Sequence, residues 1–537
     1  MARESAWRWV PPLTLSRRRI MAIFIPFIVP AAFVMTRHPA AFNGLKPVFP
    51  VLTSSSPVSG WGFAFMLNPS NKRRDAGPKT IFVDLFSIAS VPNLIIPGGV
   101  IEQLSRLKDI RPVFLIPDNP AFWKMVEPFL GENAAAEPIV KHFPRGFLRG
   151  LFVFFYSYLI FTSTTRLLAT FGARADAPPA GGNRHLAPLK SFVANTFGRS
   201  KWIKTKFVPW LYERLFNDHP YGYLFEKHHP DLVLVPNVAF HPGIELLAEA
   251  KRRGVDSVAM PANWDHLNKY YIPVHARHLL VQNEPMKGEA ILYHRYKPDQ
   301  VTVVGFPQFD AYLNDELFLP RDEYFRRLGI PDDSKVILFI SGSVYAHDEP
   351  EILLEIARWI EIGELPRQSV ILIRPYVGMR SRVHEEKKYA ALAGKLNVFF
   401  NWEKNDQHLE HRKIYNSMLR YADVVVSVFS TTAIEAAIFD RPTVVLGFDG
   451  ARRRPEHKSV RRLEKLSHFK HVLDTGGVPV ARGFDDLKRL LADYLTYPER
   501  DRDKRRLLIQ KMCYKVDGQS SRRIVDFLVR RLYGRTG

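Results

Sequence analysis

The sequence predicts an α/β protein built from two facing, doubly wound Rossmann-like domains with an apolar N-terminal extension. Three observations predict it. Residues 422–450 (ADVVVSVFSTTAIEAAIFDRPTVVLGFDG) read as strand, tight turn, helix and second strand. Short β-branched apolar runs alternate with helical stretches in both halves of the chain. Finally, 537 residues with 46% hydrophobic content exceed one ordinary core and suffice for two or three.

Taken in order, residues 1–78 form the extension. Its apolar stretch 20–35 follows three arginines, contains Pro26 and Pro30, and is shorter than the roughly 20 residues that span a bilayer. Residues 79–320 are expected to be the first domain, with strands at 80–86, 113–117, 231–236, 257–260 and 301–304 and helices at 98–107 and 243–253. Inside it, residues 147–161 (FLRGLFVFFYSYLIF) are aromatic and flanked by arginines, which suits either a lipid headgroup boundary or a core helix. Residues 173–188 are rich in Pro, Gly and Ala and read as a surface loop. Pro331 precedes the second domain, 333–515, with strands at 336–340, 370–373, 398–400, 424–428 and 443–446. A basic amphipathic helix in 516–537 is expected to pack back on the first domain.

The net charge of +22, from 76 basic and 54 acidic residues, favours an anionic partner. No helix-turn-helix, zinc-finger or RNP signature is present, so nucleic acid is not expected. Cys513 is the only cysteine, which rules out an intrachain disulfide, and the histidines lack metal-ligand spacing. No metal and no cofactor are expected.

Ligands of doubly wound sheets sit beyond the carboxyl ends of the strands, so the turns there carry the candidate chemistry. In the second domain these are Gly342 and Ser343 after the strand 336–340, Arg374 after 370–373, and Ser430, Thr431 and Thr432 after 424–428. A Gly-containing turn lets a phosphate approach the backbone, a guanidinium clamps a diphosphate, and a helix start favours an anion. Glu435 lies one turn inside the helix. It is placed either to bind sugar hydroxyls or to close a capping box with Thr432. In the first domain, residues 260–271 (MPANWDHLNKYY) put Trp264, Asp265, His266 and Lys269 on one turn. Asp265 is a candidate general base, Trp264 a stacking platform or core residue, and Lys269 an anion contact. His241, beside Pro242 at a helix start, is a second candidate base, and His347 a third.

The blocks NWDHLNKY, HLLVQNEPMKGEAILYHRYKPDQVTVVGFPQFDAY and SVFSTTAIEAAIFDRPTVVL resemble bacterial nucleotide-sugar glycosyltransferases of the GT-B arrangement, of the envelope-polysaccharide type. At fold level that group is related to CDP-glycerol glycerophosphotransferases and UDP-GlcNAc 2-epimerases. The resemblance implies a donor nucleotide in the second domain, with Glu435 on its ribose and Gly342 and Ser430 to Thr432 near its phosphates. It places acceptor contacts at Trp264, His266 and Lys269 in the first domain. It further implies metal-independent transfer to an envelope glycan or lipid-linked acceptor, at the cytoplasmic face of an anionic membrane. Two departures stand out. His266 replaces an expected asparagine, and Arg374-Pro375-Tyr376 lacks the His-Pro of glycerophosphotransferases, which weakens a glycerophosphate reading. The alternatives are such a glycerophosphotransferase, a sugar-nucleotide 2-epimerase, or a basic membrane-bound scaffold without catalysis.

Overall fold

The computed structural model describes residues 77–86, 94–142, 146–172, 185–376, 381–403 and 409–534. The apolar stretch 20–35 and most of the Pro/Gly/Ala-rich segment 173–188 lie outside them.

Two parallel sheets organise the chain. The first contains β1 (Lys79–Asp84), β2 (Ile110–Pro117), β3 (Ala135–Ile139), β4 (Leu232–Val235), β5 (Asp256–Ala259), β6 (His278–Val281) and β7 (Val301–Val303) in the order β3-β2-β1-β4-β5-β6-β7. The second contains β8 (Lys335–Ile340), β9 (Ser369–Arg374), β10 (Val398–Phe400), β11 (Val424–Ser427), β12 (Thr443–Leu446) and β13 (Val480–Ala481) in the order β10-β9-β8-β11-β12-β13. Strand order reverses between β1 and β4 and again between β8 and β11, the points where open α/β sheets place their ligands. Both sheets are covered on two faces. This explains why β11 is buried at every position and reads as a continuous apolar run rather than an alternating one.

The second core forms where Ile352, Leu353, Ile356 and Trp359 of the helix Glu349–Glu361 and Leu487 and Leu491 of Phe484–Thr496 meet the sheet. The last helix, Ser520–Tyr533, returns to the first lobe. Its Ile524 and Val525, with Leu528 four and three positions on, enter that lobe's core, each contributing roughly 1.5–3 kcal/mol of burial. Arg531 pairs with Asp256 at 2.7 Å, and Asp310 accepts the N–H groups of Ser520 and Ser521 at 3.0 and 2.7 Å.

Between β3 and β4 the first lobe carries a helical insertion: Phe147–Ser157, Ser163–Phe171, Ala187–Thr196, a π-helical turn Ile203–Phe207 running into Val208–Leu215, and Gly222–His228. The aromatic segment 147–161 supplies the interior of this insertion, where Phe152, Phe155 and Tyr156 are buried. Among the described residues no helix is long and apolar enough to cross a membrane.

Candidate active site

The carboxyl edges of the two sheets face one cleft of about 1090 Å³. Arg374, the last residue of β9, and Gly342, just beyond β8, line it together with Ser430, Thr431, Thr432 and Glu435 from the turn and helix after β11. Trp264, Asp265 and Lys269 of the loop after β5 line it from the other lobe. Nine of the thirteen residues singled out in the sequence therefore share one hollow.

Arg374 carries positive charge into this hollow. Its guanidinium donates to the backbone carbonyls of Glu403 and, at 3.5 Å, Asn401, and lies 5.7 Å from the ring of Tyr415. No carboxylate pairs with it among the described residues. Burial lowers its pKa from the ordinary arginine value, and the nearby Tyr415, Tyr324 and Glu403 offset that loss of water only in part.

The turn after β8 is held differently from the phosphate cradle its glycine suggests. The N–H of Gly342 is donated to Glu349, a side chain that also accepts from Ser341 Oγ at 3.0 Å, Tyr389 OH at 2.8 Å and Lys388. An anion at Gly342 would compete with that carboxylate. Ser343 lies outside the cleft; it is buried, adopts φ 45°, and donates to Glu385 at 3.2 Å. Both assignments to phosphate contact are therefore revised. The glycine is required by space, since a Cβ would sit 2.9 Å from Val428 Cγ2 and 3.1 Å from Glu349 Oε1.

The helix after β11 spans only Thr432–Ile438, and the Thr431 side chain makes no cap bond. Its Oγ1 accepts instead from Trp264 Nε1 at 3.0 Å, linking the two lobes. Trp264 is 5% exposed and packs edge-on against His468 at 5.0 Å, so it is an interlobe wall and not an open stacking platform. Nor does Glu435 close a capping box. Its Oε2 accepts from Tyr415 OH at 2.8 Å on the cleft wall, and burial raises its pKa above the ordinary carboxylate range against the pull of Tyr415 and Tyr312. Ser430 Oγ is buried without a hydrogen-bond partner among the described residues.

Across the cleft Asp265 is ion-paired with Lys269. Burial works to raise its pKa, but Lys269, His468 and His266 outweigh it, and Asp265 stays below the ordinary carboxylate value. His468 and His266 are themselves each pushed down to about 4 by burial. His266 itself is excluded from the cleft, packed against Phe240 at 5.6 Å and Tyr270 at 5.3 Å. His241 is also removed from it. Its Nδ1 is held by Glu245, whose carboxylate lies 3.9 Å from His142, in a cluster behind the wall. His347 is absent from the cleft lining as well.

Sequence reasoning passed over His468, Tyr415, Arg382 and Trp402, all on the wall. Arg382 lies over the Trp402 ring at 5.2 Å, a cationic and aromatic pair suited to a planar base. A tryptophan and arginine near the strand ends at 374 and 400 were the available signal.

With this geometry in place, comparison with known proteins is decisive at one level. The family model for CDP-Glycerol:Poly(glycerophosphate) glycerophosphotransferase matches residues 249–530, more than half of the chain. The chain belongs to that family. Members of this glycerophosphotransferase family are transferases, and the match restores the reading that the missing His-Pro at Arg374-Pro375-Tyr376 had weakened. No curated relative matches the sequence. Among solved structures, the family member described here is similar to a Listeria monocytogenes protein assigned as a UDP-N-acetylglucosamine 2-epimerase, at 12% identity, TM-score 0.51, 86% of this chain and 98% of that one. That likeness gives the fold, the two-lobed GT-B arrangement. It is also similar to a Neisseria meningitidis UDP-GlcNAc 2-epimerase bound to UDP-GlcNAc (15% identity, TM-score 0.49, 84% and 100% covered). A third is the wall teichoic acid polymerase TagF soaked with CDPG (12%, 0.45, 85% and 89%).

Proposed function

We propose that this protein transfers a sugar from a nucleotide-activated donor to a hydroxyl of an envelope glycan or lipid-linked acceptor. The observation that carries the reading is Arg374, a half-buried cation with no ion-paired carboxylate among the described residues, facing Asp265 across one cleft. The donor diphosphate lies against Arg374, and Tyr415-bound Glu435 accepts hydroxyls of the donor. As the diphosphate enters, it competes with Asp265 for Lys269. A carboxylate that loses its cation in a buried site becomes a stronger base. Asp265 then takes the proton of the acceptor hydroxyl, the acceptor oxygen bonds to the sugar carbon, and the carbon–oxygen bond to phosphate breaks. The electron pair leaves on the nucleoside diphosphate, where Arg374 and Lys269 meet the developing charge, each worth about 3 kcal/mol. This scheme calls on no metal ion.

A second reading is favoured by the family match: the acceptor oxygen attacks phosphorus of a glycerol phosphate and a nucleoside monophosphate departs. The same residues serve, with Arg374 on the phosphate that leaves. Epimerase and scaffold readings lack such support. The test is product analysis with radiolabelled CDP-glycerol and a panel of uridine and cytidine sugar nucleotides, with bacterial envelope extract as acceptor. Label in polymer from a sugar donor supports the first reading, and label from CDP-glycerol alone replaces it with the second. No transfer from any donor, with no donor raising the melting temperature, defeats both.

A further inference from the structure

Behind the cleft wall a row of hydrogen bonds joins the two lobes and ends on His468. Its members come from four separate segments: Glu289 of the helix Glu284–His294, Asn268 of the turn His266–Lys269, Ser467 and His468 at the start of the helix Ser467–Leu473, and Thr164 of the insertion helix Ser163–Phe171. Asn268 Nδ2 donates to Glu289 Oε1 at 2.9 Å, and Ser467 Oγ donates to Asn268 Oδ1 at 2.7 Å. Ser467 Oγ lies 3.0 Å from Thr164 Oγ1, which in turn lies 3.1 Å from His468 Nδ1. Glu289, Asn268 and Thr164 are buried, so these groups must satisfy one another.

The row has a direction, and the available protons set it. An ionised carboxylate only accepts, so Asn268 turns its amide N–H to Glu289; reversed, two oxygens would meet at 2.9 Å with no proton between them. Asn268 Oδ1 then faces Ser467, which spends its one hydroxyl proton there. The Ser467–Thr164 contact must therefore use the proton of Thr164. Thr164 Oγ1 is left with two lone pairs, one of which accepts the backbone N–H of Ser467 at 3.0 Å. The other meets His468, so the proton in that contact sits on Nδ1. A neutral imidazole carries one ring proton, which leaves Nε2 bare. His468 lines the cleft beside Trp264 and Asp265, and among the described residues only its Nδ1 is hydrogen-bonded.

We infer that His468 binds a hydroxyl of the acceptor through this bare Nε2, and that Thr164, Ser467, Asn268 and Glu289 are positioning residues that hold its tautomer. A nitrogen that only accepts takes a group with a proton to give and refuses the phosphate oxygens of the donor. With a proton on Nε2 the ring would instead offer itself to those phosphates and to the Asp265 carboxylate. The inference rests on the proposed function in taking the cleft as the place of transfer. Asp265 removes the proton of the reacting hydroxyl, and His468 holds a neighbouring one, so the acceptor end is a polyol such as a sugar or glycerol unit. The second lobe thus reaches the acceptor only where Ser467 and Asn268 meet across the lobes.

The experiment reads the tautomer directly, by nitrogen NMR of the full chain isotopically labelled at the histidine rings. It is run at about pH 8, above the value of about 7 to which burial raises Glu289 and the value of about 4 to which burial lowers His468, so the carboxylate is ionised and the ring neutral. Signals missing from His468→Gln identify the residue among the 18 histidines. Wild type is expected to show a protonated Nδ1 and a bare Nε2. In Ser467→Ala the Thr164 proton loses its acceptor and turns to Nδ1, so the ring proton should move to Nε2. Glu289→Gln, which can give or take a hydrogen bond, should yield both tautomers. A role in packing alone would lower the melting temperature of these variants without moving the ring proton. A bare Nδ1 in wild type, or an unmoved ring proton in both variants, overturns the inference. With bacterial envelope extract as acceptor, Ser467→Ala should need roughly three- to tenfold more extract for half-maximal rate, a larger change than in its donor KM. A moved ring proton with an unchanged extract requirement removes the hydroxyl from His468 and overturns the inference, while the proposed function stands. Transfer by wild type from no donor defeats the proposed function and the hydroxyl ligand with it, whereas the tautomer, read without substrate, stands on its own result.

Discussion

The turns after β8 and β11 sit side by side at one edge of the second sheet, and they are held in opposite ways. The first is locked from within its own lobe. Glu349 takes the N–H of Gly342 and three further donors. The second leaves its own helix uncapped and reaches across the cleft, where Thr431 binds Trp264. One turn is therefore framework and the other is a seam between lobes. The positive charge needed for an anionic donor comes from neither, but from Arg374 on the adjoining strand β9 and Lys269 opposite.

Moving that charge is the strongest way to break the comparison. Arg374→Ala is expected to lower kcat/KM for donor turnover about 10²–10³-fold with little change in melting temperature. Gly342→Ala should do the reverse, costing stability through its contacts with Val428 and Glu349. If Gly342→Ala kept its melting point and lost donor binding, the turn after β8 would be a phosphate cradle after all. Asp265→Asn should lower kcat about 10²-fold or more and leave donor KM nearly unchanged, as expected for loss of a proton acceptor.

Two glutamates sharpen it further. Glu349→Ala strands Lys388 and the Gly342 N–H in a buried site and is expected to destabilise the protein by about 3 kcal/mol in urea denaturation. Glu435→Gln, at a carboxyl already shifted toward its neutral form by burial, should cost under about 1 kcal/mol while impairing turnover. Equal stability losses would erase the distinction between framework and site.

A smaller effect concerns pH. His468 is held near 4 by burial, below its ordinary value of 6.5. The unfolded chain therefore binds its proton first as pH falls, so its contribution to stability is whole above 6.5 and is lost between 6.5 and 4. Asp84 and Glu289, both raised to about 7 by burial, act in the opposite sense, holding protons in the folded state. The variant His468→Gln isolates one term: its stability should fall less steeply than wild type from pH 6.5 to 4, by about 1–2 kcal/mol over the interval. Parallel curves would show His468 to be solvated and off the wall.

Much of the scaffold is written locally. The β-branched runs at 336–340, 370–373 and 424–428 mark strands because both faces are buried, and the turn residues that follow them fall at the sheet edge by topology alone. This is why Arg374 and Ser430 to Glu435 could be read from the chain. Other features depend on partners distant in sequence. β3 (AAEPI) has one large apolar residue, the buried Ile139, and β13 has two residues, so neither carries a hydrophobic signature. His468 arrives on a helix between β12 and β13, and only packing against Trp264 brings it to the cleft. That Gly342 gives its N–H to a glutamate seven positions on cannot be inferred from a Ser-Gly-Ser turn. The exclusion of His241 follows likewise from Glu245, one helical turn away, which claims its Nδ1.

The least of the expected effects tests the seam itself. The Trp264–Thr431 bond joins residues 167 positions apart and is one of few polar links lining the cleft from both lobes. Trp264→Phe removes the N–H but also trims the ring against His468 and Phe469, so its effect mixes a hydrogen bond with packing. Thr431→Val removes the acceptor at nearly constant volume. The cycle of the two single variants and the double variant isolates the coupling, expected at about 0.5–1.5 kcal/mol in unfolding free energy. If closure of the lobes is what this bond reports, each single variant should also raise donor KM more than it lowers kcat, since the open state must be drawn shut by donor binding. A coupling near zero would mean that the two side chains merely lie alongside one another, and the turn after β11 would then be as self-contained as the turn after β8.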